Sequence, residues 1–374
     1  MIDLQNVSFQ YADSNYGVTN INLAIKAGEC VVLTGKSGCG KTTITRLING
    51  LAPKYYKGTK KGSIRIAGKD VEMMPSYDIG KIVGSIFQDP QRQFFSSELE
   101  GEIAFGCENY GFSKFEIQKR TKDAIHKMRL ESIGKISLDL LSSGEKQRAA
   151  VASVYAMHPA VFVFDEPTAN LDKDGIIQMK SILMQLKKAG YTLLIAEHRL
   201  SWTEELADRY LYMKDGQIQH EYSSLEFSTM NDLERISKGL RCIINRPFTK
   251  QIAPPRTDNI AIQGERISLK KNKKQILKNM DIFANEKSIT AITGNNGVGK
   301  TSLALILSGL EKLTEGNVYI HGEKAGYRNL RKHTYYCSND TGTQFFTESV
   351  SKELLLGTKY EAPKIGRASC RERV

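Results

Sequence analysis

The stretch Cys30-Val-Val-Leu-Thr-Gly-Lys-Ser-Gly-Cys-Gly-Lys-Thr-Thr43 decides the fold of this chain. Its apolar run at 31–33 suits a strand buried on both faces, as in a parallel sheet. The eight residues Gly35, Lys36, Ser37, Gly38, Cys39, Gly40, Lys41 and Thr42 then fit G-x-x-x-x-G-K-[ST], and Thr43 continues into a helix. Glycines let backbone N–H groups converge on phosphate oxygens, and the helix N-terminus favours their negative charge. Lys41 is expected to reach the β- and γ-phosphates, and the Thr42 hydroxyl to hold Mg²⁺. Cys39 is either a redox handle on this loop or a tolerated small residue. ATP with Mg²⁺ is the ligand pair this loop calls for.

Downstream, Val161-Phe-Val-Phe-Asp-Glu-Pro167 reads as an apolar strand delivering two acids at its C-terminal end, where ligands sit in parallel sheets. Asp165 is placed to coordinate Mg²⁺, and Glu166, with no cation near it in sequence, to polarise attacking water. Between loop and acids lies Leu140-Leu-Ser-Ser-Gly-Glu-Lys-Gln-Arg148. Its Ser142, Ser143 and Gly144 offer donors at a helix N-terminus, and the same residues make a good N-cap. Residues 2–9 and 21–25 alternate like half-exposed strands, and 192–196 reads as another buried one. Helical patterns cover 114–130, 143–157 and 174–188. Strands alternating with helices mean an α/β fold with a mainly parallel core.

Residues 140–148 resemble the Leu-Ser-Gly-Gly-Gln-like signature of the ABC ATPase family, and further family marks follow in order. Tyr11 resembles the aromatic that stacks on adenine. Gln88 resembles the glutamine that senses Mg²⁺ and water, and Ala169-Asn-Leu-Asp172 the turn that communicates across a dimer through Asp172. His198 resembles the switch histidine at the γ-phosphate. The resemblance implies a P-loop NTPase fold of ABC type, with an antiparallel β subdomain and a helical subdomain added to the parallel core. It also implies a head-to-tail dimer in which Ser142, Ser143 and Gly144 serve the opposite ATP.

Two stretches recur. Ser288-Ile-Thr-Ala-Ile-Thr-Gly-Asn-Asn-Gly-Val-Gly-Lys-Thr-Ser302 parallels the first loop, and Gln344-Phe-Phe-Thr-Glu-Ser-Val-Ser-Lys-Glu-Leu-Leu-Leu-Gly357 parallels Gln93-Phe-Phe-Ser-Ser-Glu-Leu-Glu-Gly-Glu-Ile-Ala-Phe-Gly106. Preserved order over such distances implies duplication of a domain-sized unit. The second loop offers Gly294, Asn295, Asn296, Gly297, Val298, Gly299, Lys300, Thr301 and Ser302 to a nucleotide, with Thr301 toward Mg²⁺. Lys271 falls where Tyr11 would be, and Asn339 aligns with Gln88. The expected division is a complete ATPase domain at 1–222, a connection at 223–258 broken by Pro247, Pro254 and Pro255, and an incomplete second domain at 259–361. Residues 365–374 resemble the translation of a sequencing adapter, which would make that tail foreign and the second copy cut short. The strand expected at 289–292 would then lack its parallel neighbour.

Composition narrows the partners. No apolar run approaches the ~18 residues of a membrane span, and no apolar leader opens the chain. Six scattered cysteines indicate neither zinc nor a disulfide framework. The net charge of +12 is diffuse and suits anionic partners such as nucleotide phosphates without calling for nucleic acid. Phe87-Gln-Asp-Pro-Gln-Arg-Gln-Phe-Phe95, with Glu145 in the signature, looks like ATPases of energy-coupling-factor (ECF) importers. That resemblance implies the cytoplasmic face of a membrane, an integral membrane transporter subunit and a separate substrate-binding membrane component. The alternative is a soluble tandem-ABC protein acting on ribosomes, which usually carries a long helical linker that the three prolines disfavour.

Overall fold

The structure, a computed structural model, describes residues 1–133, 136–241, 259–271, 274–338 and 341–356. The chain divides into two compact units, Met1–Lys250 and Gln251–Val374. In the first, a six-stranded sheet has the order β10-β9-β3-β8-β7-β6. Its strands are β3 (Cys30–Gly35), β6 (Val83–Ile86), β7 (Val161–Asp165), β8 (Thr192–Ala196), β9 (Arg209–Lys214) and β10 (Gln217–Ser223). All neighbours pair in parallel except β10, which adds an antiparallel edge. β3 is buried along its whole length, as its Cys-Val-Val-Leu-Thr-Gly composition requires.

Alternate residues of these strands feed two cores. Val31, Leu33, Val161, Val163, Leu194 and Ala196 face one way, onto α1 (Lys41–Ile48) and a four-stranded antiparallel sheet. That sheet has the order β2-β1-β4-β5, from β1 (Ile2–Tyr11), β2 (Gly17–Ile25), β4 (Gly58–Ile66) and β5 (Lys69–Asp70). Along β2 the buried residues Ile21, Leu23 and Ile25 alternate with exposed Asn22 and Ala24, the period-two pattern of a sheet with one wet face. On the other side Val32, Phe162, Phe164, Leu193 and Ile195 pack against α3 (Leu99–Asn109), α5 (Ser143–Tyr155) and α6 (Lys173–Lys188). α2 (Ser76–Ile82) and α4 (Lys114–Lys127) complete the helices up to β10. α4 stops short of the expected residue 130 because Arg129 turns to a φ of 55°, letting Met128 and Leu130 enter the core from a turn.

The connection expected at 223–258 needs correction in its first half. Residues 224–241 belong to the first unit as α7 (Ser224–Thr229), α8 (Asp232–Ser237) and a short tail. Ser223 and Glu226 form a capping box, and Asn231 caps α8. Phe227 is fully buried with its ring stacked 3.9 Å from that of Tyr210. The Arg235 guanidinium lies 4.6 Å over the other aromatic of that stack, Phe227, while its Nε donates to the Met230 carbonyl at 3.1 Å. Two six-residue helices are too short to display a periodic face, which is why the sequence reads as a connection. Pro247, Pro254 and Pro255 lie outside the described residues.

In the second unit, β11 (Ile260–Lys271), β12 (Lys274–Asn285), β13 (Glu315–Ile320) and β14 (Glu323–Lys324) form a sheet of order β12-β11-β13-β14. This is the order of β2-β1-β4-β5. α9 (Lys300–Leu307) and α10 (Tyr327–His333) pack on it through a small core including Leu269, Leu303, Ile306 and Leu330; α11 (Val350–Leu355) follows. Two side-chain contacts also recur. Glu102 accepts from the backbone N–H of Phe95 and Ser96, and Glu353 accepts from those of Phe346 and Thr347. Gln93 accepts from Phe87 N–H as Gln344 does from Ser338 N–H, both at 3.3 Å. Residues 289–292 form no strand, and Ile289 is fully exposed. Asn339 and residues 357–374 lie outside the described part.

If residues 224–241 are integral to the first unit, Phe227→Ala should destabilise it by about 3–5 kcal/mol, the usual cost of truncating a buried aromatic. Urea unfolding of the full chain, followed by tyrosine and tryptophan fluorescence, measures this. A shift below about 1 kcal/mol would return the segment to a mere connection.

Candidate functional site

Parallel pairing brings the C-terminal ends of β3, β7 and β8 to one edge of the sheet, and a cavity of about 800 Å³ opens there. Its walls include Tyr11, Gly35, Lys36, Ser37, Gly38, Gly40, Lys41, Thr42, Thr43, Gln88, Glu166 and His198. Gly35, Gly38 and Gly40 all have positive φ, and Gly40 sits immediately before α1 at 105°. A Cβ at Gly35 would stand 2.2 Å from the Met213 carbonyl oxygen, so only glycine lets the loop leave β3 here.

Lys41 is 4% exposed, and its ammonium donates to the loop's own Gly35 and Lys36 carbonyls at 3.2 and 3.1 Å. Cys39 is buried beneath the loop, its Sγ 3.7 Å from that ammonium. Burial pushes its thiol above the ordinary value, which serves the small-residue reading rather than the redox one.

The Thr42 hydroxyl donates to Asp165 Oδ1 at 3.2 Å, so two elements far apart in sequence meet at one oxygen cluster. Burial, together with the charge of Glu166, raises the Asp165 carboxyl above its usual range, against the opposing Thr42 hydrogen bond. Two adjacent acids in a shielded site, with the Thr42 hydroxyl on one of them, fit a hard divalent cation. Thr42 and Asp165 would hold Mg²⁺, which supplies neutralising charge for the phosphate oxygens when bound.

Glu166 does have hydrogen-bonding neighbours, brought by the fold rather than the sequence. His198 Nε2 stands 3.1 Å from its Oε1, and Gln88 Nε2 donates to its Oε2 at 3.1 Å. The His198 hydrogen bond holds the Glu166 carboxyl below the ordinary value in spite of partial burial. Its backbone is at a φ of 48°, a strained conformation for a non-glycine residue and one that clusters at active sites. The residues that position His198 escaped sequence reading. Glu197, 2% exposed, accepts from the backbone N–H of His198 and Arg199 at 2.7 and 3.0 Å and from the Thr168 hydroxyl at 2.6 Å. Arg199 donates to the carbonyls of Thr168 and Leu171, pinning the turn that leads to Asp172.

Not every expected residue converges. Ser142, Ser143 and Gly144 lie outside the cavity wall, with Ser142 and Glu145 forming a capping box at the start of α5. Asp172 caps α6 by accepting from Gly175 N–H at 2.9 Å. Tyr11 reaches the wall with its hydroxyl engaged by Arg46 at 3.1 Å and Thr43 at 3.3 Å, while Tyr16, 75% exposed, offers a second aromatic on the same wall. In the second unit Lys300 folds onto the Gly294 and Asn295 carbonyls at 2.7 and 2.6 Å, and Gly299 precedes α9 at a φ of 99°, repeating the first loop. Thr301 and Ser302 lie in the first turn of α9, and among the described residues no acid bonds the Thr301 hydroxyl as Asp165 bonds that of Thr42.

The profile of the ABC transporter family matches residues 18–169 and 277–368. The chain belongs to this family of ATP-binding cassettes. A relative from Treponema denticola, described as a "Putative ABC transporter ATP-binding protein", is 38% identical over 366 residues, covering 96% of this chain and 74% of the relative. The "Putative HMP/thiamine import ATP-binding protein YkoD" of Bacillus subtilis is 28% identical over 398 residues, covering 97% and 72%. Among solved structures, cbiO1 from Clostridium perfringens, part of the ABC transporter complex cbiONQ, aligns with a TM-score of 0.56 at 29% identity, covering 63% of this chain and 93% of that one. The cassette MJ0796, dimeric and bound to ADP and Pi after hydrolysis, aligns at 0.53 with 25% identity over 60% and 99%. The family hydrolyses ATP with Mg²⁺, and this chain is an ABC-type ATPase by membership. Among the described residues no helix is long and apolar enough to cross a membrane.

The acidic behaviour of the site follows from the Glu166–His198 pair. A carboxylate held below its unfolded value of about 4.3 contributes stability above that pH and loses it as pH falls through the lower folded value. Glu166→Gln should therefore lower Tm at pH 7, where the contribution is fully present, and converge on the wild-type profile as pH falls below about 4.5, which flattens the acid limb. An unchanged acid limb would mean that the pair is not coupled in solution.

Proposed function

We propose that this chain is an ATP-binding subunit of an ECF-type importer, using ATP hydrolysis to drive uptake of a vitamin, a vitamin precursor or a metal ion. The observation that carries this reading is the turn at 93–96. Buried Glu102 fixes its backbone, and Phe95, 76% exposed and stacked on Phe105 at 4.9 Å, is presented outward seven residues after Gln88 of the site. A rigid turn with an exposed aromatic on the segment that follows Gln88 suits a coupling surface for an integral membrane transporter subunit at the cytoplasmic face. A separate substrate-binding membrane component would then select the cargo. Resemblance to a thiamine-import ATPase and to a part of cbiONQ supports the same class.

In this reading Glu166 polarises the attacking water, and His198 and Gln88 hold its two carboxylate oxygens in place. Lys41 and the loop N–H groups carry the phosphates, exchanging the loop carbonyls that Lys41 now contacts for phosphate oxygens. Ser142, Ser143 and Gly144 stand away from their own cavity, which supports head-to-tail pairing in which each signature completes an opposite site. Asp172 would communicate across that pair. The recurrent sheet order and the recurrent Glu102/Glu353 and Gln93/Gln344 contacts support a duplicated cassette. Tyr11 or Tyr16 would stack on the adenine.

Glu166→Gln should bind Mg-ATP with wild-type affinity and lower turnover by at least about 100-fold, the usual worth of a general base. Wild-type hydrolysis in the variant removes Glu166 from that role. The partner is tested separately by affinity purification from native membranes. Phe95→Asp should abolish recovery of an integral membrane protein that the wild-type chain retains. Recovery of ribosomes instead, insensitive to Phe95, would favour the soluble tandem-ABC reading.

A further inference from the structure

Three residues that line the cavity come from the segment after β10, where no nucleotide contact was expected: Gly239, Leu240 and Arg241. Their placement is built rather than incidental. The Tyr212 hydroxyl donates to the Lys238 carbonyl at 2.9 Å, and the Lys238 ammonium lies 5.5 Å over the Tyr212 ring. Leu240 is 7% exposed, packs in the main core, and donates its N–H to the Arg235 carbonyl at 2.8 Å. Gly239 turns with a φ of 69° directly against the phosphate loop, since a Cβ there would meet Lys36 Cε at 2.2 Å. Arg241 is thereby delivered, with an exposed side chain, to the wall shared by Lys41, Glu166 and His198.

We infer that Arg241 is a γ-phosphate-binding residue contributed by the segment that follows the cassette, and that it makes the first site discriminate ATP from ADP. The end of the cavity it serves is set by its neighbours. The wall formed by Tyr11, Thr43 and Arg46 belongs to the base side, whereas Glu166 must face the terminal phosphorus to deliver water to it. The Lys36 carbonyl accepts from the Lys41 ammonium at 3.1 Å, which sets Lys36 at the phosphate end of the loop. Arg241 follows Gly239, which stands against the side chain of Lys36, the first variable residue of the loop. A guanidinium presents donors in a planar fork that matches two phosphate oxygens at once, and it stays charged at any working pH.

This inference rests on the cavity being the ATP site, and the experiment separates the two claims. Isothermal titration of the full 374-residue chain, in a Lys300→Ala background that silences the second loop, compares Mg-AMP-PNP with Mg-ADP. Arg241→Ala should weaken AMP-PNP roughly tenfold and ADP by less than about twofold, because one charge-assisted contact to the terminal phosphate is removed. Arg241→Lys, which keeps charge but not the fork, should recover only part of the loss. Equal weakening of both nucleotides, or no weakening of either, would overturn the assignment. Lys41→Ala in the same background must weaken both ligands. If it does not, the cavity is not the nucleotide site, and the failure lies there.

Discussion

The parallel pairing that seats β3 between β8 and β9 is the constraint on which the rest of the first unit depends. It requires a strand apolar on both faces, and Cys30 to Gly35 supplies one with no exposed residue. Once β3 is held there, the C-terminal ends of β3, β7 and β8 fall on one edge. The phosphate loop, the two acids and His198 are then neighbours without any further device. The glycines complete the arrangement by letting the backbone turn where a side chain would strike Met213.

The second unit shows what the same loop does without that pairing. Residues 294–301 keep the sequence, and Lys300 makes the same carbonyl contacts as Lys41. Local geometry therefore lies in the glycines and the helix start, and it survives. The strand leading into it does not, since residues 289–292 are exposed and unpaired among the described residues, and no buried acid approaches Thr301. The conformation of the loop is local, whereas the approach of an acid to its hydroxyl depends on the sheet.

Charge in the first site is distributed by contact rather than by composition. Asp165 and Glu166 are adjacent, yet burial and mutual repulsion raise the first while His198 lowers the second. Neighbouring acids driven in opposite directions suit different tasks, one toward a cation and one toward water. The strained φ of Glu166 and the buried Glu197 beneath His198 hold that division in place. A net charge of +12 says nothing of it.

The sequence by itself determined the loop, the acid pair, the order of the family marks and the α/β class, because each is encoded in a few consecutive residues. Glycine positions dictate backbone turns, and apolar runs dictate buried strands, over spans of five to eight residues. Tertiary structure alone decided who stands beside whom. His198 against Glu166, Thr42 against Asp165 and Arg199 against the turn at 168–171 join residues dozens to more than a hundred positions apart, and no local pattern encodes such pairs. The same holds for residues 224–241. Their apolar residues are too few to show a period, and only the pocket around Tyr210 and Tyr212 turns a sequence that reads as a connection into a wall of the site.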